Sequence, residues 1–292
     1  MKLSRFKSPQ QALCTCLPKY SLNPYLGRCE HACIYCYSVK FPSFKGITRP
    51  RLKLLADIES MARNTKLKLP VMVSDATDPY QPLEKHYGIT RHCLRVLIKH
   101  GFPLLILTKS DLVTRDIDLF KGAKCIVGIT ITTLDEAQAK IIEPNAPSPE
   151  KRLSALDRLS KAGLRTFARI DPVIPTFNDR EEMLEKLINE IAIAGAKQIT
   201  VSTLKPVRGF FTSLARIDLE LSKRLRSIYD QGECILGYRY LPIEIRRSII
   251  LRLYRIASKF NLAFASCREG LSHLNTTLCD GSSELRFIEK YI

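Results

Sequence analysis

"GRCEHACIYCY", residues 27–37, carries three of the ten cysteines of a 292-residue chain: Cys29, Cys33 and Cys36, separated by three residues and then by two. A chain this long buries a core that needs no covalent staples, so stability does not account for the thiols. Thiolates crowded on one short loop suit zinc or an iron–sulfur cluster, both of which take soft, charged sulfur ligands. Structural zinc sites bring four ligands, often as pairs, and no fourth cysteine lies nearby. His31, between Cys29 and Cys33, is an awkward fourth corner for a tetrahedron. Three thiolates on a four-iron cluster leave one iron open for a substrate or cofactor, and the cluster is the preferred reading, with zinc as the alternative.

Outward from this loop the sequence alternates between helical spacing and short apolar runs. "RLKLLADIESMARNTKL" reads as helix and "PVMVSD" as strand, followed by "GITRHCLRVLIKHG" (helix), "PLLILTKS" (strand), "DLVTRDIDLFKG" (helix) and "CIVGITITT" (strand). "SPEKRLSALDRLSKAG", "RTFARIDPVIP", "DREEMLEKLINEIAIAG" and "QITVSTLKP" continue the rhythm. Gly101, Asp111, Gly163, Asp179 and Gly195 stand at the joints as expected caps. Counting one unit that begins near "YSLNPYL", about six βα units are visible, which predicts a parallel sheet covered by helices. The expectation is an α/β fold, a partial (β/α)6 TIM-like barrel at residues 20–210, preceded by an N-terminal segment (1–19) and followed by a helical C-terminal extension (211–292) packed on the barrel, in which "SLARIDLELSKRLRSIYDQG" and "PIEIRRSIILRLYRIASKF" each read as a helix and "NLAFAS" as strand-like. In such folds chemistry gathers at the C-terminal ends of the strands. That points to Ser74, Asp75, Thr77, Asp78, Thr108, Lys109, Thr130, Thr132, Asp171, Ser202, Thr203 and Lys205.

Composition is that of an ordinary globular protein, 45% hydrophobic and 26% charged. The N-terminus is basic without a continuous apolar stretch, unlike a secretory signal, and no run reaches the roughly 20 apolar residues of a membrane span. These features predict a cytoplasmic protein with no membrane partner, in a compartment where thiols serve metals or catalysis. The formal net charge of +17 and a pI near 9.5 suit a nucleic-acid partner, DNA or RNA.

Cys-x3-Cys-x2-Cys with an aromatic before the third cysteine, ahead of several βα units, resembles the signature of the radical S-adenosylmethionine (SAM) superfamily. "SLNPYLGRCEHACIYCY", "SDATDPYQPLEK", "LTKSDLVTRDIDLF", "ITITTLDEAQAKIIEPNAPSPEKRLSALDRLSKAG" and "DPVIPTFND" resemble its branch related to spore photoproduct lyase, the DNA-repair-photolyase-like proteins, over roughly residues 20–205. Arg28 is a departure, standing where relatives run glycine directly into the first cysteine. The resemblance implies a [4Fe-4S] cluster on Cys29, Cys33 and Cys36, with SAM on its open iron, and reductive cleavage of SAM to a 5′-deoxyadenosyl radical that abstracts hydrogen. It also implies a low-potential electron donor such as ferredoxin or flavodoxin. Carried over by position, Tyr35 and Tyr37 flank the third ligand near SAM and are candidates for radical relay. Ser74, with Asp75 and Thr77 beside it, Lys109 and Thr130 are candidate SAM contacts, Lys109 for the carboxylate. The same residues have plainer readings: Ser74 and Thr130 as strand ends, Lys109 as a solvated lysine, the tyrosines as packed aromatics, Asp75 and Asp78 as turn formers. Glu143 either holds a ligand group or pins its loop to a basic neighbour. The branch's hydrogen-donating cysteine, two residues before the serine, is Met72 here, so thymine-dimer repair through that donor is not implied. Cys93 reads as a core thiol in a helix.

Cys14 and Cys16 precede the motif, and Cys267 and Cys279 lie in the tail. Chain ends often meet, so these four could bind a second cluster or zinc. The alternatives are four unrelated thiols or a disulfide. Cys125 and Cys234 show no pattern. Two other functions stay open at this point: a radical SAM enzyme acting on a protein or small molecule, and a non-catalytic metal-binding protein of nucleic acids.

Overall fold

The computed structural model describes residues 2–6 and 13–285. In chain order the strands are β1 (Ser4–Arg5), β2 (Tyr20–Leu22), β3 (Tyr25–Leu26), β4 (Arg49–Pro50), β5 (Val71–Val73), β6 (Leu104–Thr108), β7 (Cys125–Thr130), β8 (Arg165–Val173), β9 (Gln198–Thr203), β10 (Cys234–Ile235), β11 (Tyr238–Arg239) and β12 (Ala263–Ser266). The helices are α1 (Lys53–Asn64), α2 (Glu84–Tyr87), α3 (Ile89–Lys99), α4 (Ile117–Phe120), α5 (Glu136–Ile142), α6 (Pro149–Lys161), α7 (Glu181–Ile193), α8 (Phe210–Ala215), α9 (Leu219–Asp230) and α10 (Ile243–Lys259). One sheet takes the order β1-β2-β5-β6-β7-β8-β9-β12. From β2 to β12 every neighbouring pair is parallel, and β1 runs antiparallel on the β2 edge. The expected α/β partial barrel is what forms.

Alternation along the strands divides the apolar residues between two faces. Val73, Ile106, Val127, Ile170 and Val201 join the large core shared with the helices. On the opposite, inner face Leu105, Ile126 and Phe167 make a smaller cluster with Met72 and Leu107, closed by Leu285 of the tail. Gly128 makes room there: a Cβ on it would lie 2.4 Å from the Phe167 ring. The tail is tied across this face by polar bonds, Gln198 Nε2 donating to the Leu278 carbonyl and Thr200 Oγ1 to that of Cys279, each at 2.9 Å.

Three expectations change. The stretch read as a C-terminal extension, 211–292, supplies β12, a seventh parallel strand beside β9, and its tail lines the inner face; residue 210 therefore does not separate barrel from extension. The single helix read over "SLARIDLELSKRLRSIYDQG" is two, because Asp218 stops being helical and caps α9, accepting the Leu221 N–H at 2.8 Å. Asp111 and Asp179 are not N-caps. Ser110 caps the 3-10 turn at Asp111–Asp116, and Asp179 instead accepts the Thr176 N–H ahead of α7. Gly101, Gly163 and Gly195 do follow their helices with positive φ.

Candidate active site

The cysteine loop runs from β3 to a 3-10 turn at Tyr37–Lys40. Gly27 opens it at φ +78, and a Cβ there would sit 2.0 Å from the Ile47 carbonyl oxygen. The segment before α2 holds one side: Gln81 Oε1 accepts the Glu30 N–H at 3.0 Å, and the Glu30 carboxylate accepts the Leu83 N–H at 2.6 Å. The end of α5 holds the other, through Ile34 N–H on the Ile142 carbonyl (3.0 Å) and Asn145 Nδ2 on the Glu30 carbonyl (3.0 Å). Cys29, Cys33 and Cys36 are free and half-buried on this clamped loop. Burial pushes the Cys33 thiol up to about 12, against the pull of Lys109, and burial together with the Asp78 charge raises Cys29. His31 does not turn toward the thiols as a fourth ligand; it is buried with Nε2 3.3 Å from Asp78 Oδ2.

Around the loop stand the ends of the strands. Asp78, after β5, accepts Thr108 Oγ1 at 2.6 Å and the Lys109 N–H at 2.7 Å, so it locks the end of β6 rather than merely forming a turn. Burial resists its charge, yet His31 and these donors hold its carboxyl down at about 2. Lys109 lies over the Tyr35 ring, 5.6 Å from its centroid, and its Nζ is 3.8 Å from Glu143 Oε1. Glu143 is fully buried and accepts bonds from the Tyr35 hydroxyl and from Arg152 Nη1. Arg152, on α6, is itself buried and donates to the Pro147 carbonyl at 2.7 Å and to the Thr130 carbonyl at 3.3 Å. Glu143 therefore does pin its loop to a basic neighbour, and also holds Tyr35.

Ser74 is buried with φ +60, its N–H on the Leu22 carbonyl (2.8 Å) and its hydroxyl 3.5 Å from that of Thr77. The Asp75 carboxylate is spent on the end of β2, accepting Ser21 Oγ at 2.8 Å and Asn23 Nδ2 at 2.7 Å, while its carbonyl accepts the Tyr37 hydroxyl. Tyr37 is 40% exposed. Thr130 closes β7, buried. Asp171 is paired with Arg169 at 2.7 Å, and Lys205 with the buried Glu269 at 2.5 Å. Cys93 is a core thiol on α3, as expected, Cys125 is buried on β7 and Cys234 is exposed on β10. Arg152, Arg169 and Asn23 were not singled out from the sequence; Asn23 acts through Asp75, 52 residues on, Arg152 through Glu143 and the Thr130 carbonyl, and Arg169 through Asp171, side-chain pairings that hydrophobic spacing does not encode. Among the described residues no group of three or more His, Cys, Asp and Glu side chains is already gathered round one point.

The Radical SAM superfamily model matches residues 23–188. The chain belongs to the radical SAM superfamily. This radical SAM protein is 38% identical over 170 residues to an uncharacterised protein of Methanocaldococcus jannaschii, covering 57% of this chain and 64% of that one. It is 31% identical over 264 residues to an uncharacterised protein of Mycobacterium tuberculosis, covering 84% and 75%. Its fold matches spore photoproduct lyase complexed with dinucleoside spore photoproduct at a TM-score of 0.67 and 18% identity, over 90% of this chain and 78% of that one. Membership makes the protein an enzyme of the radical SAM type, which sets aside the non-catalytic alternative, and implies a [4Fe-4S] cluster with SAM. The donor set fits that group: three free thiols on one braced loop, beside a lysine and several hydroxyls at the strand ends. Among the described residues no helix is long and apolar enough to cross a membrane.

Proposed function

We propose that Cys29, Cys33 and Cys36 hold the [4Fe-4S] cluster, that SAM binds beside them, and that the substrate is a nucleic acid undergoing modification or repair. The observation that carries the reading is the meeting of the three-thiol loop with Lys109 through Tyr35 and Glu143. When bound, the cluster and SAM would supply, on one-electron reduction by an external donor, cleavage of a sulfonium C–S bond to methionine and a 5′-deoxyadenosyl radical able to take a hydrogen atom from the substrate. Lys109 orients the SAM carboxylate, and Glu143 and Arg152 keep Lys109 and Tyr35 in place. Ser74, Thr77 and Thr130 offer hydroxyls at the strand ends. Asp75, committed to Ser21 and Asn23, acts by fixing the backbone carbonyl that Tyr37 uses. The exposed Tyr37 faces incoming substrate and is the candidate for radical relay.

A low-potential donor of the ferredoxin or flavodoxin class delivers the electron, and the reading places the enzyme in the cytoplasm. The net charge of +17 supports a polyanionic substrate, as does the likeness of fold to an enzyme complexed with a dinucleoside. Met72 packs in the inner-face cluster of Leu105 and Phe167, so β5 carries no thiol as hydrogen donor there, and the reading does not extend to thymine-dimer repair through that route.

The test is 5′-deoxyadenosine formation by reconstituted, reduced enzyme with duplex DNA, single-stranded DNA, RNA or a peptide mixture in separate reactions. The reading expects one nucleic acid to raise turnover above the substrate-free rate and to change in mass. A response confined to peptides would overturn the substrate class and leave the radical chemistry standing.

A further inference from the structure

The four cysteines outside the motif come together at the inner face of the barrel. Polar contacts bring their neighbourhoods together: Lys19, three residues after Cys16, pairs with Asp280, next to Cys279, at 2.7 Å, and on β9 Thr200 Oγ1 donates to the Cys279 carbonyl at 2.9 Å and Ser202 Oγ to the Cys267 carbonyl at 3.1 Å, so that Cys16 acts electrostatically on Cys14 and Cys279, and Cys279 on Cys267. Two come from the N-terminal segment, one follows β12 and one lies in the tail laid across the sheet, so chain ends more than 250 residues apart in sequence share one site. No disulfide joins them. Two cations flank the group: Lys19, buried near Cys16 and paired with Asp280 at 2.7 Å, and Arg169, half-buried near Cys267 and paired with Asp171 at 2.7 Å. Such N–H donors are what metal-bound thiolates receive from their surroundings.

We propose that Cys14, Cys16, Cys267 and Cys279 form a tetrathiolate site for a single zinc ion. Four cysteines make the closed donor set of a structural zinc site, whose sulfurs, about 2.3 Å from a tetrahedral ion, stand about 3.8 Å from one another. Among the described residues the four side chains do not stand round one centre, so binding the ion draws them inward. A fully ligated zinc has no open position and supplies structure, not turnover. It fixes the N-terminal segment, joined to the sheet by the two-residue strand β1, and the tail, and it anchors Arg169 beneath Asp171 at the end of β8.

The test uses the full chain with Cys29, Cys33 and Cys36 all replaced by alanine, so that the motif cannot compete, titrated anaerobically with cobalt(II). The expected result is about one cobalt per chain with the intense visible bands of tetrahedral thiolate ligation, bleached by about one equivalent of zinc. Cys14→Ser, Cys267→Ser and Cys279→Ser, each leaving three sulfurs, each lower the sulfur-to-cobalt charge transfer by about a quarter. A folded chain without those bands, a mass two hydrogens short from a disulfide, or an iron–sulfur chromophore assembled in this variant overturns the proposal. Should the triple variant not fold, zinc in the wild-type chain decides: it is expected to persist alongside reconstituted iron and to fall to background in Cys14→Ser/Cys16→Ser, and its absence from wild type refutes the site. The readout is metal, so its failure is separate from any failure to make 5′-deoxyadenosine.

Discussion

The hydroxyl of Tyr35 donates to the carboxylate of Glu143, 108 residues further along the chain, and this bond joins the cysteine loop to the buried charge of Arg152 and the half-buried charge of Lys109. Glu143 carries the negative charge shared by both cations. Its removal strands buried positive charge, for which the cost is about 3–5 kcal/mol. Glu143→Gln is therefore expected to lower the thermal midpoint by several degrees or more, and to lower SAM affinity because Lys109 and Tyr35 lose their brace. Unchanged stability in the variant would show that the cluster of charges is not coupled.

The same carboxylate sets a pH dependence. Burial raises its pKa, but Arg152 and Lys109 prevail and the net shift is downward from 4.5. A group depressed in the folded state contributes stability that is present above its unfolded pKa and is lost as pH falls through the folded value. The difference in thermal midpoint between wild type and Glu143→Gln is thus largest near neutrality and shrinks below pH 4.5. A difference constant into that acid range would contradict the assignment.

Lys109→Met removes a charged hydrogen bond worth about 1.5–3 kcal/mol, equivalent to a loss in SAM affinity of about 10- to 150-fold. Cluster absorbance is expected to stay unchanged, since Lys109 is assigned to SAM and not to iron. Equilibrium binding of SAM to the reconstituted enzyme measures this. An unaltered dissociation constant would return Lys109 to the role of loop lysine.

Gly27→Ala is expected to prevent iron loading, because the new methyl group meets the Ile47 carbonyl at 2.0 Å in a backbone of φ +78. Iron and sulfide content after reconstitution reports the effect, with circular dichroism confirming that the barrel persists. Full loading would mean that the loop tolerates a shift at its hinge.

The strand and helix order of the barrel is legible because periodicity is local: "CIVGITITT" is apolar on both faces, as a strand buried on both sides must be, and becomes β7. The thiols of the loop are legible for a similar reason, since their spacing alone limits what they can bind. Long-range partners are not. Nothing around Arg152 announces that it reaches Glu143 and the Thr130 carbonyl, and nothing in "NLAFAS" says that it adds to the sheet beside β9 and not to a separate unit. The split at Asp218 was missed because the helical spacing continues across the cap. Asp75 showed its polarity in the sequence but not that Ser21 and Asn23 consume it.

The central claim is that the loop of Cys29, Cys33 and Cys36 builds a radical initiator. Anaerobically reconstituted protein is reduced with dithionite and given SAM, and 5′-deoxyadenosine is measured by chromatography beside Cys36→Ala. The account predicts 5′-deoxyadenosine from the wild type and none from the variant. No product from a wild-type chain that has taken up iron and sulfide, or equal product from the two proteins, would contradict it.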